Sequence, residues 1–181
     1  MHPLSAGVDV SVVVETSGAV RAGVSFLFVL AFGAVVLARY RGLVDRSVED
    51  VVARPRVAVV YGLVAYVIVA FFAFYANDLL IRTGLVDTAL GYVAFAILAG
   101  GGLALSGFGF VVAGTVLSDV LAGWGPRYGL VVGAALSAAG WLALPFEPAL
   151  VAWLAVAAFG VGGRTRRWVH AERTVESEAS G

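Results

Sequence analysis

Between Asp87 and Asp119 the chain runs for 31 residues without a charge: TALGYVAFAILAGGGLALSGFGFVVAGTVLS. No water-exposed strand or surface helix tolerates such a run, whereas a helix inside a bilayer requires one of about 20 residues. Glycines recur at Gly100, Gly107 and Gly114. Seven residues is close to two helical turns, so the three lie nearly above one another, drifting by about 20° per heptad. Ala96 and Ala104 flank the same stripe. An apolar helix with a glycine groove lets a neighbouring backbone come close, the usual way helices associate in lipid. The run therefore predicts a central membrane span over 88–118.

The rest of the chain agrees. Hydrophobic residues make up 61% of its 181 residues and charged residues 13%, against about 45–50% and 25% in soluble domains. Further uncharged runs predict spans at 22–38, 57–76, 128–144 and 149–163. The fold class expected is all-α: a polytopic transmembrane helix bundle of about five spans occupying 21–165. A short extracytoplasmic tail (1–20) precedes it and a polar cytoplasmic tail (166–181) follows. A β-barrel is disfavoured, because barrel strands alternate over about ten residues. A 30-residue helix would rise about 45 Å, against a hydrocarbon core of about 30 Å, so the third span must tilt, bend at Gly100-Gly101-Gly102, or extend past the membrane. Tilt with extension is expected.

Charge orients the bundle. All 12 cations are arginine. With the N-terminus outside and five spans, ten of the 12 fall in 39–56, 119–127 and 164–181, leaving only Arg21 and Arg82 outside. Splitting the third span in two would put seven outside and five inside. Positive residues favour the cytoplasmic side, so five spans with the C-terminus inside is the reading expected, in a multi-pass protein of the cell membrane. Arg39 and Arg41 after the first span, and Arg164, Arg166 and Arg167 beside Trp168 after the last, are expected to contact lipid headgroups, at about 1 kcal/mol per basic residue.

Local signals fill in the connections. The segment GVDVSVVVET near the N-terminus alternates weakly, like a short strand. In 39–56, Val48, Val51 and Val52 fall on one helical face, and Ser47 with Asp50 resembles a capping box, which predicts a short amphipathic helix at the interface. Pro55 should end it, since the residue before a proline avoids helical geometry. Arg82, between Asp78 and Asp87, could form an exposed pair of little worth with either, and Asp119 could pair with Arg127. Gly129, Gly133 and Ser137 sit four apart and form a small-residue face suited to the third-span groove or to another subunit.

The residue inventory excludes much chemistry. The chain has no cysteine and no lysine, so there is no disulfide, thiolate metal site, Schiff base or P-loop lysine. Its two histidines, His2 and His170, lie near the termini, away from any span. Ser106-Gly107 has no histidine partner in a neighbouring span, which excludes a serine protease dyad. Zero net charge gives nucleic-acid binding no support. No charge falls inside any span, which argues against proton relays and ion pumps. No cofactor, metal site or catalytic residue is expected. The partners expected are the lipid bilayer and either further copies of the chain or a membrane protein partner.

The order of features resembles an uncharacterised multi-span membrane domain of bacteria and archaea that often follows polymer-forming, bactofilin-type β-solenoid domains. Three features carry the resemblance: the Val48, Val51, Val52 segment ending at Pro55 and leading to Gly62; the long Gly-rich third span; and a closing hairpin from Gly133 to Pro145 and Pro148, then Phe159-Gly160-Val161-Gly162-Gly163 before arginines. It spans about 40–165. Upstream, this chain has only GVDVSVVVETSG in place of a β-solenoid. The resemblance implies a prokaryotic membrane module and no catalytic or ligand-binding residue. The function expected is a non-enzymatic structural, anchoring or assembly module. The alternative is an oligomeric small-solute channel or transporter lined by Tyr66, Ser106, Thr115 and Ser137.

Overall fold

The computed structural model describes residues 16–178, with side chains described as far as Gly163. Most of the 1–20 tail, including the alternating segment up to residue 15, lies outside the described residues. Those described form five helices and no strand: α1 (Gly18–Ala53), α2 (Pro55–Arg82), α3 (Ala89–Ala122), α4 (Pro126–Ala143) and α5 (Phe146–Glu178). The chain is an all-α polytopic bundle. α1, α2, α3 and the Phe146–Gly163 part of α5 are each long and apolar enough to cross a membrane. α4 is not among these four. Its 18 residues begin with Pro126, Arg127 and Tyr128, and it buries Gly129, Gly133, Ala134 and Ser137 against its neighbours α1 and α3. The fourth expected span, 128–144, is thus a shorter, less apolar helix packed between α1 and α3.

The boundaries follow from local chemistry. Ser17 caps α1, its Oγ accepting from the Val20 amide at 3.4 Å. Tyr40 (φ −134°, ψ 34°) breaks helical geometry between Arg39 and Arg41, where the apolar run ends, and the helix continues in a new direction to Ala53. Arg54 (φ −150°, ψ 71°) then leaves helical space ahead of Pro55, which starts α2, as the steric clash before a proline requires. Thr88 Oγ1 accepts from the Gly91 amide at 3.4 Å and opens α3. Gly123, at φ 63°, closes it in the left-handed conformation that glycine adopts without cost. α3 is one unbroken helix, so the long apolar run is not split. α5 does not stop at Gly163: its backbone stays helical through the arginines to Glu178.

The amphipathic segment after Tyr40 is helical, but its buried face is rotated from the expected one. Val44, Ser47 and Val51 are fully buried, Val48 only partly, and Val52 is 56% exposed. Ser47 is not a cap; its hydroxyl donates to the Leu43 carbonyl at 2.7 Å, within the helix. The segment faces protein: Val44 and Val51 join Val36, Ala58, Val111 and Val112 in one apolar cluster, and Gly163 of α5 lies against Ser47 and Asp50.

Successive helices run antiparallel, yet the most extensive pairing is not between successive ones. α2 packs on α5, and hardly at all on α3. α4 lies between α1 and α3, while α3 also crosses α5. A second cluster of Val29, Phe110, Ala134 and Ala157, edged by Tyr66 and Trp153, sits where α1, α3, α4 and α5 converge. The hairpin formed by α2 and α3 overhangs this bundle. Gly109 of α3 meets Ala157 and Gly160 of α5; from there α3 extends back to Ala89, but α5 only to Phe146. At 1.5 Å per residue α3 reaches about 14 Å further along its axis. α2, which meets Ala158 at Gly62, likewise outruns α5, by about 12 Å.

Candidate functional site

Small residues set the closest helix contacts. Where α2 meets α5, Gly62 faces the Ala158 backbone and Gly162 faces the Ala58 backbone. A methyl group on Gly162 would lie 2.7 Å from Ala58 Cα, whereas carbon atoms in contact rest at about 3.5–4.0 Å. Where α3 meets α5, Gly109 faces the Ala157 backbone and Gly160 faces the Gly109 backbone. Such contact distances are possible only without a Cβ, and in lipid close backbone packing replaces the hydrophobic effect as the adhesive. None of these was among the expected packing positions, although Ala58/Gly62 and Ala158/Gly162 carry the same four-residue spacing as Gly129/Gly133/Ser137.

Of the positions expected to pack, Gly114 lies directly against Gly129 and Gly133, and Gly133 faces the Phe110 carbonyl. Gly107 is covered by the Phe32 ring of α1, whose nearest carbon is 2.5 Å from the site of a Cβ. Ser137 is buried, its hydroxyl donating to the Ala134 carbonyl at 2.8 Å. These five are therefore occupied within the chain. Gly100 departs from the stripe: it is exposed, and a methyl group there, or at Gly101 or Gly102, would meet nothing within 4 Å. The heptad continues through it, but no neighbouring helix covers α3 on that side at this level.

The hydroxyls that could line a solute path are bonded within the protein. Ser106 Oγ donates to the Gly102 carbonyl at 2.9 Å, so its contact of 2.7 Å with Tyr66 has the phenol as donor. This ties α2 to α3. Thr115 Oγ1 donates to the Val111 carbonyl at 2.7 Å. On the α1 side Trp153 Nε1 donates to Ser25 Oγ at 3.0 Å, and Ser25 donates to the Ser137 carbonyl at 3.4 Å. Three helices, α5, α1 and α4, are thereby linked through one serine.

The cations cluster at one end of the bundle. Arg39 and Arg41 are exposed beside the Tyr40 break. Arg41 and Arg127, with Leu37, Ala38 and Pro126, line a hollow of about 180 Å³. α5 carries Arg164, Arg166 and Arg167 on from the same end. Of its two expected partners Arg82 takes Asp78, with Nε to Oδ2 at 2.6 Å and both side chains more than half exposed.

Arg21, at the opposite end, differs from all of these. Its guanidinium carbon lies 5.4 Å from the Trp141 ring centre and 5.1 Å from that of Phe146. Nε and Nη1 are buried without a hydrogen-bond partner. It borders a groove of about 440 Å³ between α1, α3, α4 and α5. Among the described residues no group of three His, Cys, Asp or Glu side chains could hold a metal ion. No family model matches the chain, and no curated protein or solved structure is significantly similar to it.

Proposed function

We propose that this integral membrane protein is a non-enzymatic structural module of the cell membrane that assembles with further copies of itself through the uncovered stretch of α3 at Gly100-Gly101-Gly102. The observation behind the reading is the open face at Gly100-Gly101-Gly102. Gly100 and Gly101 are exposed and Gly102 half-buried, a methyl group on any of them would meet nothing within 4 Å, and Phe71, Phe72, Tyr75, Phe95 and Ile97 nearby are all exposed, while Gly107, Gly109, Gly114, Gly129 and Gly133 are filled from within. A glycine groove of this kind accepts a second helix at close range. The α3 helix of another copy, presenting the same groove, is the occupant chosen. The burial of Ser106, Thr115 and Ser137 among packed helices, with Tyr66 bonded to Ser106, supports an assembly module over a channel. The reading also places the arginine-rich end in the cytoplasm and the N-terminus outside, on the distribution of charge. The family resemblance makes a β-solenoid filament protein the partner to look for beside the homo-oligomer.

The test uses the absence of cysteine. Gly101→Cys has room for its side chain, and in native membranes a bis-maleimide should join two copies there but not at the control Leu142→Cys on the outside of α4. Gly101→Leu should leave the folded monomer intact and abolish the oligomer in mild detergent. A wild-type chain that is monomeric in lipid, or an oligomer that survives Gly101→Leu, would remove the proposal.

A further inference from the structure

We infer that the groove beside Arg21 is a binding site for an anionic phospholipid, with the headgroup phosphate on the guanidinium and an acyl chain along α1. The inference needs only that the protein sits in a bilayer and is independent of self-assembly. Its first ground is the state of Arg21. A guanidinium carries five donors and never loses its charge. Here Nε and Nη1 are shut off from solvent with no acceptor among the described residues. The rings of Trp141 and Phe146 hold the cation from the side, but a ring face attracts charge and accepts no directed fork of hydrogen bonds. No carboxylate among the described residues pairs with this cation, and a phosphate at the mouth of the groove would neutralise it without having to reach the buried Nε and Nη1. Glu147, the acidic residue nearest in sequence to these rings, is exposed and turned to solvent.

The second ground is the shape and lining of the groove. Val24 and Phe28 continue from Arg21 along one face of α1, and Leu103, Leu150 and Trp153 form the facing walls. Arg21 to Phe28 is two turns, about 10 Å of wall. The polar groups nearest that wall, Ser25 Oγ and Trp153 Nε1, are bonded to each other. A small soluble anion would leave this apolar surface uncovered. An amphiphile satisfies the charge at one end and the wall along its length. The Arg21 end also lies at the first turn of α1, the depth at which a headgroup meets the acyl region. The rival occupant is a carboxylate from the chain itself, Asp9 or Glu15.

The test reads lipid proximity from Trp141 and Trp153, in a Trp124→Phe, Trp168→Phe background whose melting temperature matches wild type. The protein is reconstituted in phosphatidylcholine vesicles carrying a minor fraction of either brominated phosphatidylglycerol or brominated phosphatidylcholine. Stronger quenching by the brominated anionic lipid, lost in Arg21→Gln and in the groove-filling Leu150→Trp read with Trp153→Phe added to both it and its reference, supports the site. Equal quenching by the two lipids overturns it, as does an anionic preference that persists in Arg21→Gln. An anionic preference that appears only after Asp9→Asn or Glu15→Gln assigns the site to the chain's own carboxylate and also overturns it.

Discussion

Replacing Gly162 by alanine adds one methyl group where α2 and α5 touch. The new carbon would stand 2.7 Å from Ala58 Cα and closer still to the Ala58 carbonyl. Both obstacles are backbone, so no rotamer change relieves them; the carbonyl oxygen is the nearer, and the helices must separate by about 1.5–2 Å to restore ordinary contact with it. A gap of 0.5–1 Å already forfeits roughly a quarter to a half of each dispersion contact, and the reciprocal Gly62–Ala158 contact one turn away opens with it. Overpacking of this kind costs about 1–3 kcal/mol. Alanine's better helix propensity returns at most about 1 kcal/mol. The net expectation is a loss of about 1–2 kcal/mol. Gly101→Ala has the same propensity gain and no obstacle within 4 Å, so in a detergent that keeps the chain monomeric it should stabilise by up to about 1 kcal/mol. The opposite signs are the content of the prediction. Thermal unfolding of both variants, followed by tryptophan fluorescence in one detergent, measures them side by side. Two shifts of the same sign would refute the argument that backbone contact, and not helix propensity, governs these glycines.

Tyr66→Phe should destabilise by about 0.6–1.7 kcal/mol, the range for hydrogen bonds between membrane helices, and a double-mutant cycle with Ser106→Ala should recover most of that as coupling. Asp78→Asn should change stability by under about 1 kcal/mol, because the Arg82 pair is exposed; a larger loss in denaturant titration would mean the pair is shielded. Thr88→Ala should cost about 1 kcal/mol through loss of the α3 cap, read as faster hydrogen exchange in the first turn of α3 alone. Single cysteines at Asp45, Thr83 and Glu147, all exposed, should label from inside, outside and outside; labelling of position 45 from outside would invert the orientation proposed.

The helices were legible because their signals are long. An uncharged run bounded by Asp87 and Asp119 leaves little choice but a helix, and Pro55, Pro126 and Gly123 mark ends by backbone sterics that operate without tertiary context. The Gly114 and Gly129/Gly133 stripes could be read for the same reason: glycine at helical spacing has few uses besides close approach. What could not be read was which helix faces which. Val48 and Val52 sit as plausibly on an apolar face as Val44 and Ser47, since valine is at home against both lipid and protein. The choice depends on where Gly163 and Val112 arrive, more than 60 residues later in the chain. Ala58 and Gly62 were hidden in the same way, an ordinary alanine and glycine until a partner helix supplies matching ones. Arg21 looked like one outer charge among few; only the convergence of Trp141 and Phe146 around it distinguishes it from Arg82.

The pairing of α2 with α5 has a consequence in time. Ala58 leaves the ribosome roughly 100 residues before its partner Gly162, a delay of about 5–20 s at ordinary synthesis rates of 5–20 residues per second. Throughout that interval α2 has almost nothing of its own chain to rest on, since it scarcely touches α3 and meets α1 mainly near Ala58. It waits in the bilayer as a lone rod, and the last helix made is the one that latches it. Synthesis halted between α4 and α5 therefore leaves α1, α3 and α4 able to pack with α2 tied to them chiefly through Tyr66 and Ser106, so the arrival of α5 is the event that fixes α2 in place.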